Sequence, residues 1–191
     1  MKNSRITWIL IVGVIFWLFS YILDSSANSF FKNFDISIFS MILSIITNFG
    51  FVITLMVLVP TLVLYKKNKR IAHLLWANFL VSLILTIAIK MIIGRHRPIE
   101  TFTYPFTNIP DYSFPSMHAV VAFSLLAILN EYLPRQRTFW TYFAFLVALS
   151  RVYFGVHYLS DVVSGALLGY FIGHCMSALY KSQSHAKNKR I

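Results

Sequence analysis

Three cations, two imidazoles, a hydroxyl and a carboxylate fall into short clusters along an otherwise apolar chain: Lys90 to Arg97, Ser116 to His118, and Arg151 to Asp161. Lys90, Arg97 and Arg151 can surround an anion such as a phosphoryl group, because guanidinium forks match its oxygens. A helix opening at Ser116, Met117 and His118 adds backbone N–H groups aimed at the same anion. His157 and Asp161 are four positions apart and share a face of a helical turn. The carboxylate can then hold one imidazole nitrogen protonated while the other attacks. His118 supplies a general acid for the departing oxygen. Such a set needs no cofactor and no metal. The competing reading, a divalent ion held by His118, His157 and Asp161, must place that ion among three positive side chains.

Each residue taken singly has an ordinary explanation. Lys90 can snorkel to an interface, Arg97 can be an interfacial arginine, and Ser116 and Asp161 can cap helices. His118 and His157 can be structural. Together they form a group of charges that is costly within a membrane unless an anion is bound there.

The elements that position these clusters are hydrophobic. Of 191 residues, 58% are hydrophobic and 12% charged, against roughly 25% charged in soluble domains. A helix needs about 20 apolar residues to cross a bilayer. Runs of this kind occur at residues 6–23, 71–93, 138–153 and 159–180. The stretch from Ile36 to Tyr65 reads as a span over 48–65 preceded by an interfacial or bent segment. A further span covers 116–133, with Pro115 suited to the first turn of its helix. The expected fold is therefore all-α: a six-transmembrane-helix bundle forming a single domain over 1–180, followed by a basic tail over 181–191 that reads as disordered. The first span lacks a small-residue cleavage site and reads as a retained anchor rather than a signal peptide. Cys175 is the only cysteine, which excludes an intrachain disulfide.

Threading six spans from an inside N-terminus gathers Lys2, Arg5, Lys66, Lys67, Lys69, Arg70, Arg135, Arg137, Lys181, Lys187, Lys189 and Arg190 on one side. The formal net charge of +11 thus reads as an orientation signal: both termini cytoplasmic, and all three polar clusters at the extracytoplasmic face. Nucleic-acid binding is not expected, because the basic residues form short runs between apolar helices.

These clusters resemble the signature of the type 2 phosphatidic acid phosphatase (PAP2) superfamily. Lys90 through Arg97 and Pro98 is similar to K-x6-R-P. Pro115, Ser116, Met117 and His118 are similar to P-S-G-H, and Ser150, Arg151, His157 and Asp161 to S-R-x5-H-x3-D. The resemblance implies that His157 forms a phosphohistidine with Asp161 as its partner and that His118 protonates the departing oxygen. It also implies that Lys90, Arg97, Ser116 and Arg151 bind the phosphoryl group. Met117 departs from the usual glycine; it keeps the backbone N–H but adds bulk beside the anion site.

A pocket level with the headgroups suits a lipid phosphate or isoprenoid pyrophosphate. Undecaprenyl pyrophosphate and phosphatidylglycerophosphate are the candidates that the resemblance supplies. Phe102, Tyr104 and Phe106, in the loop from Gly94 to Phe114, suit the interface. Two other outcomes use the same residues: transfer of the phosphoryl group to a second lipid, and a non-enzymatic phospholipid or anion carrier. Gly165 and Gly169 form a G-x-x-x-G spacing expected to pack against another span of the same chain.

Overall fold

The computed structural model describes residues 2–33, 36–99 and 111–188, and every regular element among them is helical. Phe102, Tyr104 and Phe106 lie outside the described residues. The order is α1 (Lys2–Lys32), α2 (Ser37–Thr47), α3 (Phe49–Ile53), a π-helical turn (Thr54–Leu58), α4 (Val59–Lys67), α5 (Lys69–Ile93), α6 (Met117–Tyr132), α7 (Arg137–Tyr153) and α8 (Leu159–Asn188).

Four stretches are long and apolar enough to cross a bilayer: Ile11–Lys32, Phe49–Lys67, Lys69–Ile93 and Leu159–Ser184. α6 and α7 are shorter, at 16 and 17 residues. The segment before Asn48, expected to be interfacial or bent, is a separate helix, α2; the Asn48 side chain accepts the Phe51 N–H and starts α3. The π turn just ahead of Pro60 is a local widening of the kind that accommodates a residue lacking its N–H.

Three boundaries differ from the sequence reading. α1 runs on past residue 23 to Lys32, because Asp24 is drawn inward, to 7% exposure, by partners on α8. α6 begins at Met117 with Ser116 at the N-cap, which leaves Pro115 ahead of the helix rather than in its first turn. α8 continues through residues expected to be disordered as far as Asn188, with Lys181 paired to Glu131 of α6.

The burial pattern inverts that of a soluble domain. Ile22, Leu62 and Ile92 are 73, 70 and 83% exposed, whereas Asn78, Ser82, Thr86 and Ser124 are fully buried. Ser82 Oγ and Asn78 Nδ2 donate to Ser124 Oγ at 2.8 and 3.1 Å, tying α5 to α6. α6 is the central helix. Every residue from Ala119 to Leu129 is buried, as expected for a helix that is apolar all round.

α8 reaches α6 through a ladder of glycines. A Cβ on Gly165 would meet the Ser116 carbonyl oxygen at 2.8 Å, and one on Gly169 or Gly173 would overlap the carbonyl oxygen of Val120 or Ser124. The G-x-x-x-G spacing therefore serves packing inside the chain, and it brings the start of α8 against the start of α6. At the opposite end, the α4–α5 turn meets the end of α8, where Asn68 Nδ2 donates to the Tyr180 hydroxyl at 3.5 Å.

Candidate active site

Two glycine turns and one N-cap bring the three clusters together. Gly94 takes the left-handed conformation (φ 62°) that ends α5, its N–H donating to the Lys90 carbonyl. The chain then turns so that Arg95 and Arg97 face back over the bundle. Gly155 (φ 64°) turns the chain after α7. His157 folds back with its N–H on the Arg151 carbonyl at 3.2 Å. The Ser116 N–H donates to the Asp161 carbonyl at 3.0 Å, which fastens the start of α6 to the start of α8.

His157 is 1% exposed. Arg97 Nη1 lies 3.2 Å from its Nε2. Arginine can only donate, so this contact assigns Nε2 as the lone-pair nitrogen and Nδ1 as the protonated one. Nδ1 is 3.4 Å from Ser113 Oγ and 3.7 Å from Asp161 Oδ2. Asp161 is thus beside His157, although His157 lies ahead of α8 and not on a helical turn with it, and the Ser113 hydroxyl sits between them and donates to Asp161 Oδ2. The same oxygen accepts the Tyr158 N–H at 2.9 Å. Asp161 therefore also caps α8, reaching back from its third residue. Burial, followed by the positive field of Arg97, Arg151 and Lys90, pushes the His157 pKa well below that of an ordinary histidine.

Arg97 touches this imidazole, and Lys90 and Arg151 add their positive field. Lys90 Nζ pairs with Asp111 Oδ1 at 3.2 Å and donates to the Tyr112 carbonyl. Arg97 donates through Nε to the Asp111 carbonyl and through Nη1 to the Val156 carbonyl, both at 2.7 Å. Its Nη2 pairs with the Asp111 carboxylate. Arg151 Nη1 donates to Thr47 Oγ1 of α2 at 2.7 Å. Arg151 Nε and Ser116 Oγ are buried without a partner among the described residues. Two orphaned polar groups in one charged cluster fit a site that an anion completes. His118 packs edge-on to Phe49 at 4.9 Å between ring centroids and feels the charges of Arg151 and Arg97.

All eight residues singled out in the sequence thus lie at one end of the bundle. Met117 is the exception in role: its side chain packs against the apolar core. Its bulk is therefore taken up by packing. Among the described residues, no three His, Cys, Asp or Glu side chains converge as metal ligands.

Asp111, Ser113, Thr47, Arg95 and Asp24 were not foreseen as site residues. Asp24 had a legible signal, a carboxylate within an apolar helix. The others are polar residues on loops or helix ends whose partners lie far away in sequence.

A sequence model described as the PAP2 superfamily matches residues 70–184, which include all three clusters. The chain belongs to the PAP2 superfamily. An undecaprenyl-diphosphatase from Sulfolobus acidocaldarius is 33% identical over 119 residues, covering 58% of this chain and 56% of the relative. A lipid A 4'-phosphatase from Bacteroides thetaiotaomicron is 36% identical over 88 residues, covering 41% and 39%. The chain thus spans about half the length, or less, of these curated relatives. Two solved structures share the fold. A PAP2-type phosphatidylglycerolphosphate phosphatase from Bacillus subtilis superimposes with TM-score 0.68 at 22% identity, over 91% of this chain and 96% of that one. LpxE from Aquifex aeolicus gives 0.67 at 22% identity, over 82% and 95%. The matched region carries the Lys90–Arg97, Ser116–His118 and Arg151–Asp161 clusters of this PAP2 member.

Proposed function

We propose that this chain is a membrane enzyme that removes a terminal phosphate from a lipid phosphate or isoprenoid diphosphate, without a metal, through a phosphohistidine at His157. One observation carries the reading: the His157 Nε2 lone pair faces Arg97 Nη1 at 3.2 Å, in the positive field of Arg151 and Lys90, with Nδ1 on the Ser113–Asp161 side. Nε2 forms the bond to phosphorus while the bond from phosphorus to the leaving oxygen breaks. His118 delivers a proton to that oxygen. Water then attacks phosphorus, His118 takes its proton, and the N–P bond opens to free the imidazole. Lys90, Arg97, Arg151 and the Ser116 hydroxyl hold the phosphoryl oxygens, and the first N–H groups of α6 face the same anion.

Names borne by relatives, undecaprenyl-diphosphatase and lipid A 4'-phosphatase, support a lipid-linked phosphate as substrate. The clustering of the site at one end, with basic turns at the other, supports six crossings with both termini cytoplasmic and the site extracytoplasmic. Residues 1–180 then form one domain.

The test is phosphate release from a panel of lipid phosphates and diphosphates in detergent, with EDTA present throughout, by wild type and His157→Ala. Release by the wild type and its loss in His157→Ala, with lipid binding retained, is expected. Equal release by both proteins refutes the nucleophile. Binding without release by wild type favours a carrier, and a phosphorylated lipid acceptor favours transfer.

A further inference from the structure

The carboxylate beside the proposed nucleophile is itself held from the far side. Asp161 is fully buried, and its Oδ1 accepts Arg95 Nη1 at 2.6 Å. Arg95 is held in turn. Its Nη2 pairs with Asp24 Oδ2 of α1 at 2.8 Å, and Nη1 also donates to Ser160 Oγ at 2.8 Å. Its guanidinium carbon lies 4.1 Å from the Tyr158 ring centroid and 5.3 Å from that of Tyr21, both within cation–π range. Asp24 completes the frame by accepting the Ser160 N–H at 2.8 Å and the Ser160 hydroxyl at 2.6 Å. The chain Asp24–Arg95–Asp161–Ser113–His157 is thus continuous from α1 to the imidazole. Arg95 and Asp24 make none of the contacts that Lys90, Arg97 and Asp111 share, and Asp24 lies outside the region matched by the family model.

We infer that Arg95 and Asp24 are positioning residues: α1 sets the orientation of Asp161, and through Ser113 that of His157, by gripping a forked guanidinium. This rests on the proposed role of His157. The physical reason lies in the valence of the carboxylate. With Oδ2 taken by Ser113 and the Tyr158 N–H, and Oδ1 by Arg95, Asp161 has one stable rotamer. Without Arg95 it is free to swing, and the Ser113 hydroxyl moves with it. A misplacement of about 1 Å at a catalytic group can cost on the order of a hundredfold in rate. Lysine cannot fully replace the fork, because one ammonium cannot span both carboxylates in the same plane.

The test uses the full chain in detergent with an isoprenoid diphosphate as probe. Steady-state kinetics per folded protein are measured for wild type, Arg95→Gln, Arg95→Lys, Asp24→Asn and the Asp24→Asn/Arg95→Gln pair, with His157→Ala as control. The inference expects Arg95→Gln to lower kcat roughly ten- to hundredfold with KM within about threefold of wild type. Arg95→Lys should recover part of that loss, and Asp24→Asn should be milder than Arg95→Lys while still slower than wild type. The double variant should be no worse than Arg95→Gln, since one linkage is cut twice. A purely structural role predicts a lower melting temperature with unchanged kcat per folded molecule, which overturns the inference. A large rise in KM at constant kcat also overturns it, by making Arg95 a substrate contact. If Arg95→Gln does not fold, Asp24→Asn decides alone: wild-type kcat refutes the linkage. Should His157→Ala keep full activity, the nucleophile reading fails; a dead His157→Ala beside wild-type Arg95→Gln fails the positioning role only.

Discussion

The two sides of His157 are built on opposite principles. On the side of Asp161, the polar contacts close on themselves: Ser113, Tyr158, Arg95, Ser160 and Asp24 saturate one another. On the side proposed to hold the anion, Arg151 Nε and Ser116 Oγ have no partner among the described residues, and Lys90 and Arg97 both pair with Asp111. A buried polar network that is complete fixes its members. One that is incomplete has capacity left for a ligand. On the proposed function, holding the nucleophile is thus separated from holding the phosphate, and phosphate oxygens would compete with the carboxylate of Asp111 for the same two cations.

This contrast can be broken by mutation, beginning with the largest effects. Arg95→Ala leaves the carboxylates of Asp24 and Asp161 hydrogen-bonded but buried without their counter-charge, and should cost up to about 3–5 kcal/mol of stability, read as a lower melting temperature. Arg97→Ala should reduce kcat/KM by roughly 30-fold or more, corresponding to a loss of at least about 2 kcal/mol of charge-pair binding. Ser116→Ala should slow phosphate release by about tenfold, the value of a hydrogen bond to a charged group. Its melting temperature should stay at the wild-type value, because the hydroxyl has no partner to lose among the described residues. A clear loss of stability in Ser116→Ala would make the two halves alike. Asp111→Asn should tighten inhibition by inorganic phosphate several-fold, because Lys90 and Arg97 no longer have a competing carboxylate.

The smallest effect sharpens the electrostatics. The His157 pKa is depressed in the folded protein, by burial first and by Arg97 second. Below about pH 6.5, where an exposed histidine takes up its proton, the unfolded chain therefore binds more protons than the folded one. Stability contributed by neutral His157 is present above that pH and is lost as the pH falls. Nitrogen NMR of the His157 ring, assigned by difference from His157→Gln, should show imidazole that is still neutral at a pH where an exposed histidine is already protonated. A midpoint near 6.5 contradicts the buried neutral state.

Much of the site could be read without coordinates because its chemistry is written in residue types at fixed local spacing. Lys90 and Arg97 flank one helix end, Ser116 and His118 open another, and His157 and Asp161 are four positions apart. The fold class followed from composition, since no water-soluble core accommodates this share of apolar residues. Helix ends were less legible: α1 runs on to Lys32 with Asp24 bonded to α8, and α8 runs on past residue 180 with Lys181 paired to Glu131 of α6, contacts that local hydropathy does not report.

Residue order along the chain therefore determined which groups could do chemistry and that they must meet at one end of a helical bundle. Tertiary structure alone decided how they are held. Asp24 meets Ser160 across 136 positions, and Thr47 meets Arg151 across 104. Hydropathy and helical periodicity report only on neighbours within a few turns. Contacts of that sequence separation arise from how helices pack, here from the glycines of α8 lying against the backbone of α6.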